Sequence, residues 1–390
     1  MGKWILLIAV LTIYAGNAFA QLSKDISVSS YYDDNMYRAP EKTEDLINDF
    51  QIGLSFHPED SGINLYYSGD LVFYRENSQR NFSIHNLGFN YAAPFGENKK
   101  QTFYLGSSLS IRINGKDYEY YDYSQIYAYA NFRFNLSFLL LKTGYNFRYR
   151  EYTYIPDLTN SRHYVFAQMS KSFPTKTSLI LEGDWGYKAF SGSETYYTST
   201  SGGGMGGGRG GGMLPTTSVS VSSTEIPSMS QVVLLGRIAQ SIHPRIGANI
   251  QYKKQISLTD ETNYLNSDSY YQDEELFDDP FSYSSDEVTS KITILFPWAV
   301  KLGVSGNLIS KEYISENAYV SADDTVAAGG IREDDLKAVY VNLSKTFHAN
   351  KSWLNALKIS FDYVYTKNES NSYWYNYDSN LFGIGIDWNF

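Results

Sequence analysis

Apolar and polar residues alternate with a period of two over stretches of roughly ten residues, repeatedly along this chain. The final stretch shows it best. Phe382, Ile384, Ile386, Trp388 and Phe390 fall on one face, and Gly383, Gly385, Asp387 and Asn389 on the other. Likewise Phe103, Leu105, Ser107, Leu109 and Ile111 oppose Tyr104, Gly106, Ser108, Ser110 and Arg112. A strand crossing lipid must turn every second side chain outward, and its backbone N–H and C=O groups find partners only in a closed sheet. Such segments fall at about 25–32, 47–57, 62–75, 82–92, 102–115, 122–134, 138–152, 162–172, 177–190, 230–241, 245–258, 286–296, 299–312, 335–347, 355–367 and 379–390. The pattern predicts an all-β fold, a transmembrane antiparallel β-barrel of about 16 strands (14–18).

The connections carry a second signal. Pro58–Ser61, Asn135–Ser137, Pro174–Lys176, His243–Pro244 and Pro297–Trp298 are short, and the stretch near Asn350 and Lys351 joins them. The connection at 94–100 is the longest of this set and fits least well. The alternate set is mostly long and polar, at 33–46, 153–161, 191–229, 259–285, 313–334 and 368–378. Short periplasmic turns and long extracellular loops are the asymmetry of bacterial outer-membrane barrels, whereas a soluble sandwich has no reason to alternate in this way.

Composition sharpens this picture. The chain has 36 Tyr, 22 Phe and 6 Trp, aromatic residues make up 16%, and mean hydropathy is −0.36. Interface girdles combined with a polar lumen account for both values. At the N-terminus Lys3 precedes an apolar run, Trp4 to Tyr14, and then Ala18-Phe19-Ala20. This predicts a cleaved signal peptide over residues 1–20, too short for a membrane-spanning helix, followed by the barrel at 21–390. The expected first residue after cleavage is Gln21, which excludes a lipid-modified cysteine there. The chain has no Cys, and so no disulfide or thiol metal site. A net charge of −10 speaks against a nucleic-acid partner.

The alternating C-terminal residues Phe382, Ile384, Ile386, Trp388 and terminal Phe390 resemble the assembly signal of bacterial outer-membrane β-barrel proteins. The resemblance implies residence in the bacterial cell outer membrane, contact with its lipid, and recognition by the barrel-assembly machinery. A barrel of this size is porin-like in architecture and leaves an aqueous channel.

Strand parity puts Arg112, Arg133, Lys142, Arg148, Arg150, Lys188, Arg237, Lys253, Lys291, Lys301 and Lys358 on the inner wall, with Asp49, Asp70, Glu182, Asp184, Asp362 and Asp387. The candidate pore-lining residues are Arg112, Arg133, Lys142, Arg148, Arg150, Arg237, Lys301, Lys358 and Asp362. A wall that favours anions is one reading. A mutually neutralising set with no selectivity is the default. Inner glycines (Gly106, Gly144, Gly186, Gly247, Gly303, Gly383, Gly385) are expected to leave room, while Tyr104, Tyr127 and Tyr129 narrow the bore.

Three loop features bear on function. The loop at 259–285 holds Asp260, Glu261, Asp268, Asp273, Glu274, Glu275, Asp278 and Asp279, but with no dedicated calcium spacing, so a solvated acidic loop is the simpler reading. The Gly-rich tract 202–212, inside the longest loop 191–229, reads as a surface tip in preference to an inward constriction. Tyr118, Tyr120, Tyr121, Tyr123, Tyr149, Tyr152, Tyr154, Tyr373, Trp374, Tyr375 and Tyr377 are expected mostly in the interface girdle, with sugar stacking as the alternative.

The expected function is an outer-membrane porin-like channel for passive or weakly selective passage of small hydrophilic solutes, anionic ones if the basic wall is selective. The alternative is a surface-binding or adhesive barrel, or the barrel subunit of an export or electron-transfer complex. An active transporter would need a plug domain, for which the segment after Gln21 leaves no room. An enzyme needs an acid–base pair, and of the five histidines only His85 and His163 fall near the outer rim, with no partner spacing. No catalytic residue, metal or cofactor is therefore expected. The sequence carries no interface signature, so a homotrimer and a periplasmic partner both stand as alternatives.

Overall fold

The computed structural model describes residues 22–59, 61–191, 193–200, 218–225, 228–260, 278–351 and 354–390. The expected leader, the Gly-rich tract and most of the acidic loop lie outside the described residues. The strands are β1 (Leu22–Asp33), β2 (Asp45–Phe56), β3 (Ile63–Tyr74), β4 (Phe82–Phe95), β5 (Gln101–Asn114), β6 (Tyr123–Asn135), β7 (Leu140–Tyr152), β8 (Asn160–Ser172), β9 (Thr177–Phe190), β10 (Ser193–Thr200), β11 (Ser218–Glu225), β12 (Met229–His243), β13 (Ile246–Ser257), β14 (Tyr283–Phe296), β15 (Val300–Ala318), β16 (Gly330–Lys351), β17 (Leu354–Ser370) and β18 (Tyr377–Asn389).

Sixteen of them form one closed antiparallel barrel in chain order. β1 closes it against β18, with Ile26 opposite Trp388 and Tyr32 opposite Phe382. β10 and β11 pair only with each other, and β9 passes directly to β12. Each of the sixteen alternating segments corresponds to one barrel strand. The hairpin β10–β11 lies in the stretch expected to be a loop, and it is the addition.

The register explains the alternation. Leu87, Leu109 and Ile126 stand directly opposite one another across β4, β5 and β6 and are 60%, 54% and 45% exposed. Rows like this cover the outside of the barrel, including Phe382 and Ile384 of the terminal strand. In water so large an apolar surface drives association. In a bilayer it is the matched surface, so the barrel crosses the membrane with its strands.

The apolar band ends abruptly on one side. Across β13 to β17 the outward row becomes Lys254, Asp286, Ser310, Asp335 and Glu369, mutual cross-strand partners. Lys254 pairs with Asp286 at 2.9 Å, and Lys367 with Glu369 at 2.7 Å. A transmembrane strand needs about 9–11 residues. β15, β16 and β17 have 19, 22 and 17, so their loop-side ends stand above the lipid. The turn side is tighter. Gly62 has φ +63°, and a Cβ there would lie 2.5 Å from the Ala92 carbonyl oxygen, so this turn requires glycine.

Candidate functional site

The lumen is the concave feature of this barrel, and its two ends differ. Nearly all the buried side chains lie at the loop-side end; Ser110, Ala338, Ser344 and Ser360 are buried lower down.

At the loop-side mouth, residues 278–282 fold inward across the wall. Phe281 is fully buried against Tyr164 of β8, with their rings 5.9 Å apart. The Arg162 guanidinium lies 5.4 Å from the same Phe281 ring. Asp279 pairs with Lys188 of β9, and Asp278 with Lys311 of β15, while Tyr313 Oη donates to Asp278 at 2.6 Å. Gln255 of β13 donates to the Pro280 carbonyl. The segment thus straps β8 and β9 to β13 and β15 from inside. At the start of the acidic loop Asp260 is exposed, as expected of a solvated loop, but at 278–282 the loop is tied into the wall. The carboxylates of Asp278 and Asp279 are locked to wall lysines, and among the described residues no cluster is arranged to hold a metal.

Beside the strap, Arg332 stacks over Tyr375 (3.2 Å) and Tyr313 (4.2 Å). Its Nη1 donates to Glu316 at 2.9 Å, and its Nε and Nη2 bind the Asp334 carboxylate. Burial pushes the Glu316 carboxyl up to about 7, with the Arg332 charge opposing only in part. Burial would also raise Asp278, but the Lys311 and Arg332 charges win and hold it below the usual carboxylate value. Across the mouth, Arg80 is buried with its guanidinium 4.5 Å from the Tyr37 ring and 5.4 Å from that of Tyr118.

The rim tyrosines correct one expectation. Tyr121, Tyr123, Tyr152 and Tyr375 are buried in the mouth and are not placed in a lipid girdle. Tyr123 and Tyr152 pack with Leu158, and Arg150 lies over the Tyr123 ring at 4.2 Å. A tyrosine just above the bilayer can cover a buried cation with its ring face, which lipid contact alone would not use. Tyr154 and Trp374 remain exposed.

The candidate pore-lining residues divide between the two ends. Arg112, Arg148 and Arg150 sit high. Arg112 lies over Phe82, Arg148 donates to Asn160 at 3.1 Å, and Arg150 donates to Gln125 at 3.0 Å. Lys358 pairs with Asp387 at 2.7 Å, and Asp362 accepts from Asn342 at 2.6 Å. Lys253, also expected on the inner wall, pairs with Glu287, a partner that parity reasoning left out. Arg133, Lys142, Arg237, Lys291 and Lys301 make no ion pair among the described residues, and all lie at mid-height or toward the turn side. The inner-wall carboxylates Asp49, Asp70, Glu182 and Asp184 sit at mid-height on β2, β3 and β9.

The glycines also differ from expectation. Gly106 faces the Tyr129 ring, Gly144 the Phe166 ring, Gly186 the Tyr164 ring and Gly383 the Tyr31 ring, each from the directly opposed residue. These glycines make room for rings on the neighbouring strand and do not simply widen the bore. Gly303 has open space above it. His85 and His163 face outward, each with Nδ1 bonded to a tyrosine hydroxyl, Tyr67 at 2.9 Å and Tyr145 at 2.7 Å.

No protein-family model matches this chain, and no curated protein matches it. Solved structures do. OmpT, an outer-membrane protein of Vibrio cholerae, aligns over 95% of this chain and 97% of its own at 11% identity and TM-score 0.43. OccK8 (OprE) of Pseudomonas aeruginosa aligns over 95% and 98% at 9% identity and TM-score 0.49. OpdK of the same organism, solved with vanillate, aligns over 95% and 98% at 10% identity and TM-score 0.48.

Proposed function

We propose that this barrel is an outer-membrane porin-like channel for small hydrophilic solutes, narrowed at its loop-side mouth by the strap 278–282 and weakly favourable to anions below it. The observation that carries this reading is the state of the turn-side cations. Arg133, Lys142, Lys291 and Lys301 lie on the inner face of a closed barrel, yet they are exposed and make no ion pair among the described residues. Exposed charge inside a closed wall requires water there. Unpaired cations lining a water-filled passage lower the energy of an entering anion. The pairs Lys358–Asp387 and Lys253–Glu287, with the mid-height carboxylates, keep that preference weak. Folding into the membrane would proceed through the barrel-assembly machinery by way of Phe382, Ile384, Ile386, Trp388 and Phe390.

The test is single-channel recording of the refolded barrel in a planar bilayer under a salt gradient. A steady conductance with a reversal potential on the anion side is expected. The double variant Asp278→Asn, Asp279→Asn unties the strap and should raise the conductance. A silent barrel whose fold is verified by heat-modifiable mobility overturns the channel. Cation preference overturns the role given to the turn-side lysines and arginines.

A further inference from the structure

The turn-side lumen holds a recess of about 480 Å³ walled by Tyr104, Asn131, Arg133, Lys142, Phe166 and Gln168. That volume lies within the roughly 300–1,000 Å³ of small-molecule sites. Its walls come from β5 to β8. Arg133 and Lys142 are direct cross-strand partners, Lys142 is next opposite Gln168, and Asn131 stands between Tyr104 and Gly144.

Like charges opposed across a ladder repel, so an antiparallel pair normally avoids them. Here Arg133 and Lys142 are both exposed to the lumen and have no carboxylate partner among the described residues. The nearest acid in the register is Glu182, and Gln168 Nε2 already donates to it. That bond uses the Gln168 amide nitrogen, and Gln168 itself lines the recess. Phe166 lies directly opposite Gly144 with its ring edge against it and lines the recess, and Tyr104 adds a second ring with a hydroxyl.

From this arrangement we infer that the recess binds acidic sugars, a pyranose carrying a carboxylate, and that it is a selectivity site of the channel proposed above. The carboxylate bridges Arg133 and Lys142 and relieves their repulsion. The C–H face of the ring stacks on Phe166 and Tyr104. The hydroxyls meet Gln168, Asn131 and the Tyr104 hydroxyl. A neutral sugar leaves the two cations unmatched. An aromatic acid leaves the amides and the hydroxyl unmatched, and a site built to hydrogen-bond discriminates against a ligand that lacks the partner group.

The test measures binding to the full refolded barrel in detergent micelles, by calorimetry at low salt, with galacturonate, galactose, benzoate and acetate. Galacturonate should bind about tenfold more tightly than each of the other three, since two charge-assisted contacts and the ring stack each add a fraction of that factor. Arg133→Gln with Lys142→Gln should bring galacturonate down to galactose. Phe166→Leu, which keeps an apolar group over Gly144, should bring it toward acetate. Galactose or benzoate binding as tightly as galacturonate overturns the inference, as does a double variant that binds unchanged. Micelle binding does not depend on conduction. Binding by a barrel that is silent in bilayers refutes the channel alone, and conduction without this preference refutes the acidic-sugar site alone.

Discussion

The two ends of the lumen use the same residue types to opposite effect. At the loop-side mouth, Lys188, Lys311 and Arg332 are buried and each is tied to carboxylates. Toward the turns, Arg133, Lys142, Lys291 and Lys301 are exposed and make no ion pair among the described residues. The difference follows from what covers each end. Long loops return chain to the mouth and bring aromatic rings and carboxylates onto the cations. Short turns return no such groups, and below the mouth only wall-to-wall pairs such as Lys358–Asp387 neutralise a cation. The mouth therefore ties its cations into structure, and the lower lumen leaves most of its cations exposed.

The largest way to break this contrast is to remove the charge at the centre of the mouth. Arg332→Ala leaves Glu316 and Asp334 buried without their counterion. Stripping one partner from a buried pair costs about 3–5 kcal/mol. Some of this will appear as local opening, because the loop-side end stands above the membrane band. The expected outcome is a lower urea midpoint in lipid vesicles and faster protease cleavage between residues 278 and 334. Lys301→Ala, at an exposed position on the same strand as Glu316, should leave both unchanged. Equal effects from the two substitutions would erase the distinction between the ends.

Glu316 gives a smaller handle with a definite sign. Its carboxyl is raised from 4.5 to about 7 in the folded barrel. The folded state therefore holds a proton that the unfolded chain has lost between those values, and stability falls as pH rises through that window. The change should be roughly 1–3 kcal/mol, because a tenfold change in proton affinity corresponds to about 1.4 kcal/mol. Protease protection of the mouth should be greater at pH 5 than at pH 8. Glu316→Gln should flatten the dependence and match the protonated wild type. Asp278 moves the opposite way, so its loss of stability belongs below the ordinary carboxylate range and does not overlap. A pH profile identical in wild type and Glu316→Gln would remove this assignment.

The strands were legible because lipid enforces them. A misplaced polar residue on the outer face is costly, so the period survives in the sequence from Phe103–Ile111 to Phe382–Phe390. Above the bilayer that constraint lapses. The outer faces of β15 to β17 become charged or polar at Ser310, Asp335 and Glu369, and the alternation fades although the strands continue. The hairpin β10–β11 is rich in Ser and Thr, and its short Val219–Val221 alternation is too brief to announce a strand. The strap was hidden for another reason. Asp278-Asp279-Pro280-Phe281 reads as one more acidic turn until Lys188 and Lys311, far away in sequence, are seen to meet it. Parity assigns the inner cations to a face, but it does not tell which of them a distant carboxylate will reach.

The glycines divide the lower lumen itself, and they give the finest test. Gly106 and Gly303 both face inward, on opposite sides of the barrel. A Cβ at Gly106 would lie 2.4 Å from the Tyr129 ring, which is held in place by its hydroxyl bond to Asn90 at 2.9 Å. Gly106→Ala must lift that ring off the wall, and overpacking of this kind costs about 1–3 kcal/mol. Gly303 has nothing within 4 Å. Gly303→Ala gains about 0.4–1 kcal/mol by restricting the unfolded chain, with nothing displaced in return. Urea titrations in lipid vesicles should show the two alanines moving the midpoint in opposite directions, with Gly106→Ala alone reducing single-channel conductance as the ring swings into the bore. If both alanines behave alike, the rings over Gly106, Gly144 and Gly186 are not seated by their glycines, and the aromatic lining of β5 to β9 is incidental.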